Sequence, residues 1–187
     1  MKKLTFFIIA AFYLLLNAQT QQASIEERMF GVQAGFFGIW GNYEKKLSNT
    51  TTLKTEIGLD YGLWLEANEY LGYFFAPALI VEPRYYYSLQ KRQAKSKRID
   101  GNSSNYISLF LRHHPDWFVI SNYNLGSVVP DLSVIPTWGI HRRIGKNFNF
   151  DTSVGLGYRF YFINNNEVSS NYGELDFNIT LRIGYEF

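Results

Sequence analysis

Apolar and polar residues alternate with a period of two along most of this chain. From Leu175 to Phe187, the residues Leu175, Phe177, Ile179, Leu181, Ile183, Tyr185 and Phe187 share one parity, and Asp176, Asn178, Thr180, Arg182, Gly184 and Glu186 share the other. Successive side chains of a strand point to opposite sides, so this spacing predicts a two-faced β-strand. At roughly 3.3 Å per residue it is about 40 Å long, twice the usual strand. The same grammar predicts strands at "TLKTEIGLDYGLWL", with Leu53 to Leu65 as the apolar set, at "FAPALIVEPRYYYSL", with Phe75 to Leu89, and at "NFNFDTSVGLGYRFYF", with Phe148 to Phe162. Weaker alternation adds strands from Phe30 to Leu47, Asn105 to His113, Trp117 to Asn124 and Val129 to Ile144. In the first of these the pattern lapses near Gly41, which predicts a bulge. Turn-rich joints separate the segments, no helix is predicted beyond residue 18, and the expected total is eight strands.

Alternation alone leaves open which face is buried. The polar parity mixes charges with glycines, Gly58 and Gly62 in one strand and Gly155 and Gly157 in another, which suits the crowded concave side of a small barrel. The apolar parity runs over twelve to sixteen residues, long enough for the nine to eleven tilted residues that cross a bilayer as a β-strand.

Composition narrows the picture. The opening "MKKLTFFIIAAFYLLLNAQTQQ" has two lysines, an apolar run from Leu4 to Leu16 and a small residue at Ala18. It reads as a secretory signal peptide, 1–18, preceding one domain, 19–187. The run is shorter than the roughly twenty residues a membrane-spanning helix needs. No cysteine occurs, so disulfides and a lipid-modified cysteine are both excluded. Without Lys2 and Lys3, sixteen basic residues face sixteen acidic ones, so bulk charge argues for no nucleic acid partner.

A secreted chain of alternating strands that finishes on "LDFNITLRIGYEF" resembles the small outer-membrane β-barrel proteins of Gram-negative bacteria. The resemblance implies an all-β fold, a single antiparallel up-and-down transmembrane barrel in the outer membrane. It further implies that Tyr185 and Phe187 act as an assembly signal read by the barrel-assembly machinery. A barrel also removes the exposed edges of its first and last strands.

An eight-stranded barrel is filled by its own side chains, so a general porin is not expected. The inward set predicted from parity is Lys54, Glu56, Asp60, Glu82, Arg84, Arg112, Asp131, His141, Arg143, Asp151, Arg159, Glu174, Asp176, Arg182 and Glu186. Buried charges must pair, so an internal salt-bridge network is expected. A structural or surface-contacting role follows, with no cofactor, no metal and no catalysis. Two rival functions are a lipid A- or phospholipid-modifying barrel enzyme using His113, His114 or His141 with a serine, and a secreted soluble barrel holding an apolar ligand. Adjacent His113 and His114 should point to opposite faces.

The segment "KRQAKSKR" carries five basic residues, Lys91, Arg92, Lys95, Lys97 and Arg98, and no acid. As the third connection of an eight-strand parse with both termini periplasmic, it is expected outside, as a phosphate-binding patch on lipopolysaccharide and outer-membrane lipid. One internal echo conflicts with this parse. "EKKLSNTTTLKTEIGLDY" aligns without gaps on "HRRIGKNFNFDTSVGLGY". If the two turns lie at one end of the barrel, one strand is misassigned, and the segment at 117–124 is the weakest.

Overall fold

A computed structural model of the chain describes residues 23–65, 71–122, 128–162 and 172–187. The segment read as a signal peptide lies outside the described residues. Among the described residues, nine strands and one short helix follow in chain order: β1 (Arg28–Gly35), β2 (Gly38–Lys46), β3 (Thr51–Leu65), β4 (Leu71–Tyr85), α1 (Leu89–Ala94), β5 (Ser104–His114), β6 (Ile120–Ser121), β7 (Asp131–Ile144), β8 (Phe148–Tyr161) and β9 (Tyr172–Glu186). Eight of them, all but β6, pair antiparallel around a closed ring, which the β3–β4 and β1–β9 ladders complete. The seam is the β1–β9 ladder, Gly31–Gly35 against Arg182–Glu186, extended by the Phe187 N–H donating to the Phe30 carbonyl at 3.0 Å.

The expected count of eight is met by different strands. The segment from Phe30 to Leu47 is a hairpin, β1 and β2, and not one bulged strand. Gly41 sits in regular register between Val32 and Ile57. The chain reverses at Phe36–Phe37, between the paired Gly35 and Gly38. Gly38 has φ of +147°, and a Cβ there would strike the Leu59 carbonyl oxygen. The turn signal therefore flanks two aromatics that read as strand residues. The segment at 117–124 is not a wall strand. Of its described residues only Ile120–Ser121 pair, with Phe75 and Phe74 of β4. β4 also ends at Tyr85, earlier than expected, and α1 follows where no helix was predicted.

These two changes settle the echo. The β2–β3 turn at 47–50 and the β7–β8 turn at 145–147 lie at one end of the barrel, together with both described termini. The basic segment 91–98 is the fourth connection, on that same end, and not the third. Here the described N-terminal stretch folds across the barrel mouth. Ala23 and Ile25 pack on Tyr86, Leu89 and Tyr106, with Ile99 alongside.

The apolar parity faces outward. Ile57, Ile107, Val154, Leu156, Ile179 and Ile183 are each at least half exposed. Outward rings gather near both strand ends: Phe30 stacks on Tyr43 at 4.8 Å and Phe148 meets Tyr185 at 5.4 Å at one end, while Tyr61 meets Phe75 at 5.1 Å and Tyr158 meets Phe160 at 5.0 Å at the other. Phe148 and Tyr158 stand ten residue steps apart on β8. At 3.3 Å per residue and a tilt of about 40°, the two rings of aromatics stand roughly 25 Å apart.

Inward glycines make room for rings on neighbouring strands. A Cβ on Gly58 would strike the Ile39 carbonyl and the Trp40 side chain, and one on Gly157 the Val134 carbonyl and Ile135. Gly58→Val is therefore expected to abolish the folded barrel in a refolding assay, whereas Gly41→Ala, with only the Ile57 oxygen at 3.8 Å, should refold.

Candidate functional site

Inside the wall the side chains form three layers. At the terminus end a buried network links most strands. Lys54 pairs with Glu56 at 2.6 Å and Arg182 with Glu56 at 2.7 Å. Lys54 Nζ also donates to Gln33, Gln33 to Asn149, and Asn149 to Glu186. Arg84 sits between Glu82 at 2.6 Å and Asp151 at 2.8 Å, over the Tyr106 ring at 4.2 Å. Tyr106 Oη donates to Asp151, and His141 faces Asp151 through Nδ1 at 3.1 Å. Alternation along each strand places these groups inward, and mutual pairing offsets the cost of removing them from water.

The middle layer combines an apolar cluster with a small buried polar one, in which Asn178 Nδ2 donates to the Thr137 and Ser153 hydroxyls. Trp40, Ile80, Phe110 and Ile135 form a fully buried cluster across the lumen. The Arg182 guanidinium lies over the Trp40 ring at 3.8 Å, and Trp40 Nε1 donates to Asp60 at 2.7 Å. Trp40 thus joins the first layer to the third.

The third layer opens away from the termini as a vestibule. Arg112 bridges Asp60 at 3.4 Å and Asp176 at 3.1 Å, and Arg159 pairs with Asp176 at 3.0 Å. Both ring nitrogens of His114 face carboxylates, Nδ1 toward Asp131 at 2.9 Å and Nε2 toward Asp60 at 3.1 Å. A ring nitrogen donates to a carboxylate only where it carries the proton, so the tautomer decides which of the two contacts is a donated hydrogen bond. Ser133 Oγ donates to Asp176 at 2.5 Å. Two adjoining cavities, about 250 and 290 Å³, share Asp60, Tyr61, Arg112 and Arg159.

The inward charges expected from parity are all found in ion pairs except Glu174, which is exposed at the rim and accepts the Tyr161 hydroxyl. Three inward groups escaped sequence reading. Glu44 is buried and accepts Tyr86 Oη at 2.7 Å and Asn102 Nδ2 at 3.0 Å. Gln33 and Glu44 lost their parity when β1 and β2 were read as one strand. His114, a catalytic candidate beside His113, lies one residue past the expected strand end and so had no inward place, while His113 Nδ1 meets the Asp131 backbone oxygen on the other face. Among the described residues the histidine rings face carboxylates and a backbone carbonyl rather than a serine hydroxyl.

Tyr185 and Phe187 lie outward on or beside β9, edge to face at 5.4 Å, with Phe187 81% exposed. The five basic residues divide into two groups. Arg92 donates through Nε and Nη2 to the Arg98 carbonyl. Arg98 pairs with Asp100 at 2.6 Å and donates to the Arg143 and Gly145 carbonyls. Those two arginines thus tie the connection together, while Lys91, Lys95 and Lys97 stand exposed. The hydrogen bond from Arg98 holds the Asp100 carboxyl below its ordinary value of 3.8. A group lowered in this way keeps its contact at neutral pH and loses it as pH falls through the folded value. Carboxyl NMR should show Asp100 titrating below 3.8, and Arg98→Gln should move that midpoint up.

Comparison with family models, with curated proteins and with solved structures returns no match for this chain.

Proposed function

We propose that this chain is an integral outer-membrane β-barrel that contacts lipid around its girth and carries no steady ion current. The supporting observation is the direction of its faces. A soluble barrel turns apolar side chains inward and charges outward, whereas here Ile57, Val154 and Ile179 are exposed and Lys54, Glu82 and Asp151 are buried. The roughly 25 Å between the two sets of outward aromatics matches the apolar band of such proteins.

The basic connection keeps a lipid role in this proposal, at the other leaflet. Contact with lipopolysaccharide rested on an outward third connection, and that premise has been replaced. With both termini periplasmic, Lys91, Lys95 and Lys97 face the phosphates of inner-leaflet phospholipid, each contributing on the order of 1 kcal/mol, weakened by salt.

The mature protein is expected to need detergent, and to run at different positions on a gel before and after boiling. In cells, Lys95→Cys should react with a membrane-impermeant thiol reagent only after the outer membrane is permeabilised. Purification as a monomer in plain buffer would defeat the membrane reading, and labelling of intact cells would reverse the orientation.

A further inference from the structure

At two places a wall strand stops short of its neighbours. β5 ends at His114, below the far end of β4, and β6 patches the exposed β4 edge through Phe74–Ser121 and Phe75–Ile120. The β1–β2 hairpin is also short. Its last pairs are Gly35–Arg182 on one side and Gly38–Asp60 on the other. Beyond it β9 continues from Leu181 to Tyr172 and β3 from Tyr61 to Leu65. Among the described strands none joins those two edges, so the wall has a notch two strands wide.

The notch lies within the apolar band on the β9 side. Its lip carries Phe36, Phe37, Phe177, Ile179 and Leu181, all exposed, and behind it lies the 250 Å³ cavity of the vestibule. Among the described residues, polar groups therefore meet the lipid-facing surface through a side opening.

The interior of this cavity has more donors than acceptors. Asp176 Oδ2 alone receives Arg112 Nη2, Arg159 Nε and Nη2, and Ser133 Oγ. A carboxylate oxygen offers about two lone-pair sites. Of the described residues lining the two cavities, the only buried side-chain atoms without a hydrogen-bond partner are Arg112 Nε and Arg182 Nε, both donors. Arg182 is only 6% exposed. Both atoms lack an acceptor, which a ligand oxygen entering the cavity would supply.

We propose that the notch is a lateral doorway for a single-chain amphiphile of the fatty-acid class. Its carboxylate reaches Arg112 and Arg159 in the vestibule, and its alkyl chain lies across Phe36, Phe37, Ile179 and Leu181 into the surrounding lipid. This inference rests on the membrane reading above. It assigns the third layer a ligand, whereas the first layer holds the fold.

The test uses the barrel in non-ionic detergent with Trp64, Trp117 and Trp138 replaced by Phe, so that Trp40, which lines the cavity, is the reporter. It is titrated with a bromine-labelled fatty acid, and in parallel with a labelled alkylammonium and a labelled lysophosphatidic acid of equal chain length. The expected result is saturable quenching by the fatty acid, with affinity at least tenfold above that of the ammonium. Arg112→Gln with Arg159→Gln should weaken binding at least tenfold. Ile179→Asp, which changes the lip and no ion pair, should do the same while the heat-dependent gel shift persists. Ile179→Asp decides the matter if the double variant does not fold. Equal quenching by the ammonium, unchanged affinity in Ile179→Asp, or no saturation in a barrel that still shows its gel shift would overturn the doorway and leave the membrane reading standing. Tighter binding of the lysophosphatidic acid would overturn the fatty-acid assignment. A chain that is soluble and monomeric without detergent would overturn both proposals.

Discussion

Replacing Asp151 by alanine is expected to destabilise the barrel by about 3 to 5 kcal/mol, the usual cost of removing one partner from a buried ion pair. Asp151 takes the Arg84 guanidinium at 2.8 Å and Tyr106 Oη at 2.7 Å, and faces His141. Arg84 would keep Glu82, at 2.6 Å, as its one carboxylate, and Tyr106 would lose the acceptor of its hydroxyl inside the fold. The loss is an unpaired buried polar group and not merely a missing contact. Lys46→Ala is the control. Its pair with Glu27 lies at the barrel mouth with Glu27 largely exposed, so its removal should cost under about 1 kcal/mol. Urea titrations of the folded band, read on unheated gels, measure both. A similar small loss for the two variants would mean that water reaches Arg84 and that the terminus end is not sealed.

The second large effect concerns the middle layer. In a planar bilayer the unaltered protein should give no steady current step, because the buried cluster of Trp40, Ile80, Phe110 and Ile135, with Thr137, Ser153 and Asn178, lies between two charged layers. Truncating Phe110 to alanine removes a buried ring from that layer and should cost about 3 to 5 kcal/mol. Porin-like steps from the unaltered protein would contradict the packing, and an undiminished urea midpoint for Phe110→Ala would show that the neighbouring side chains close the space.

Much of the barrel was legible because a strand records its two faces in sequence. Glu82 and Arg84, or Asp176 and Arg182, stand at even spacing, so their common side follows from parity once the strand is recognised. Their partners lie on other strands, as with Arg84 and Asp151 or Arg182 and Glu56, and pairing across the lumen depends on register and stagger. The hairpin at Phe36–Phe37 shows the limit of pattern reading. Two large aromatics at a reversal look like strand residues, and the flanking Gly35 and Gly38 differ little from the glycines elsewhere on the inward faces. Missing that reversal hid Gln33 and Glu44, and admitting a strand at 117–124 restored the total while leaving the parity wrong for the segments between.

What the amino-acid order determined by itself is therefore the class of the fold and the sign of its faces: period-two alternation makes strands, and the glycines and charges on one parity mark the concave side. Tertiary structure alone decided the rest, namely which end the basic connection occupies, how three layers divide the lumen, and where the described wall strands stop beside β9. The physical reason is that alternation is local, set by side-chain direction along a strand. Ends, layers and gaps instead depend on which strands are neighbours and where each one stops, and a single missed reversal changes every assignment up to the next miscounted strand.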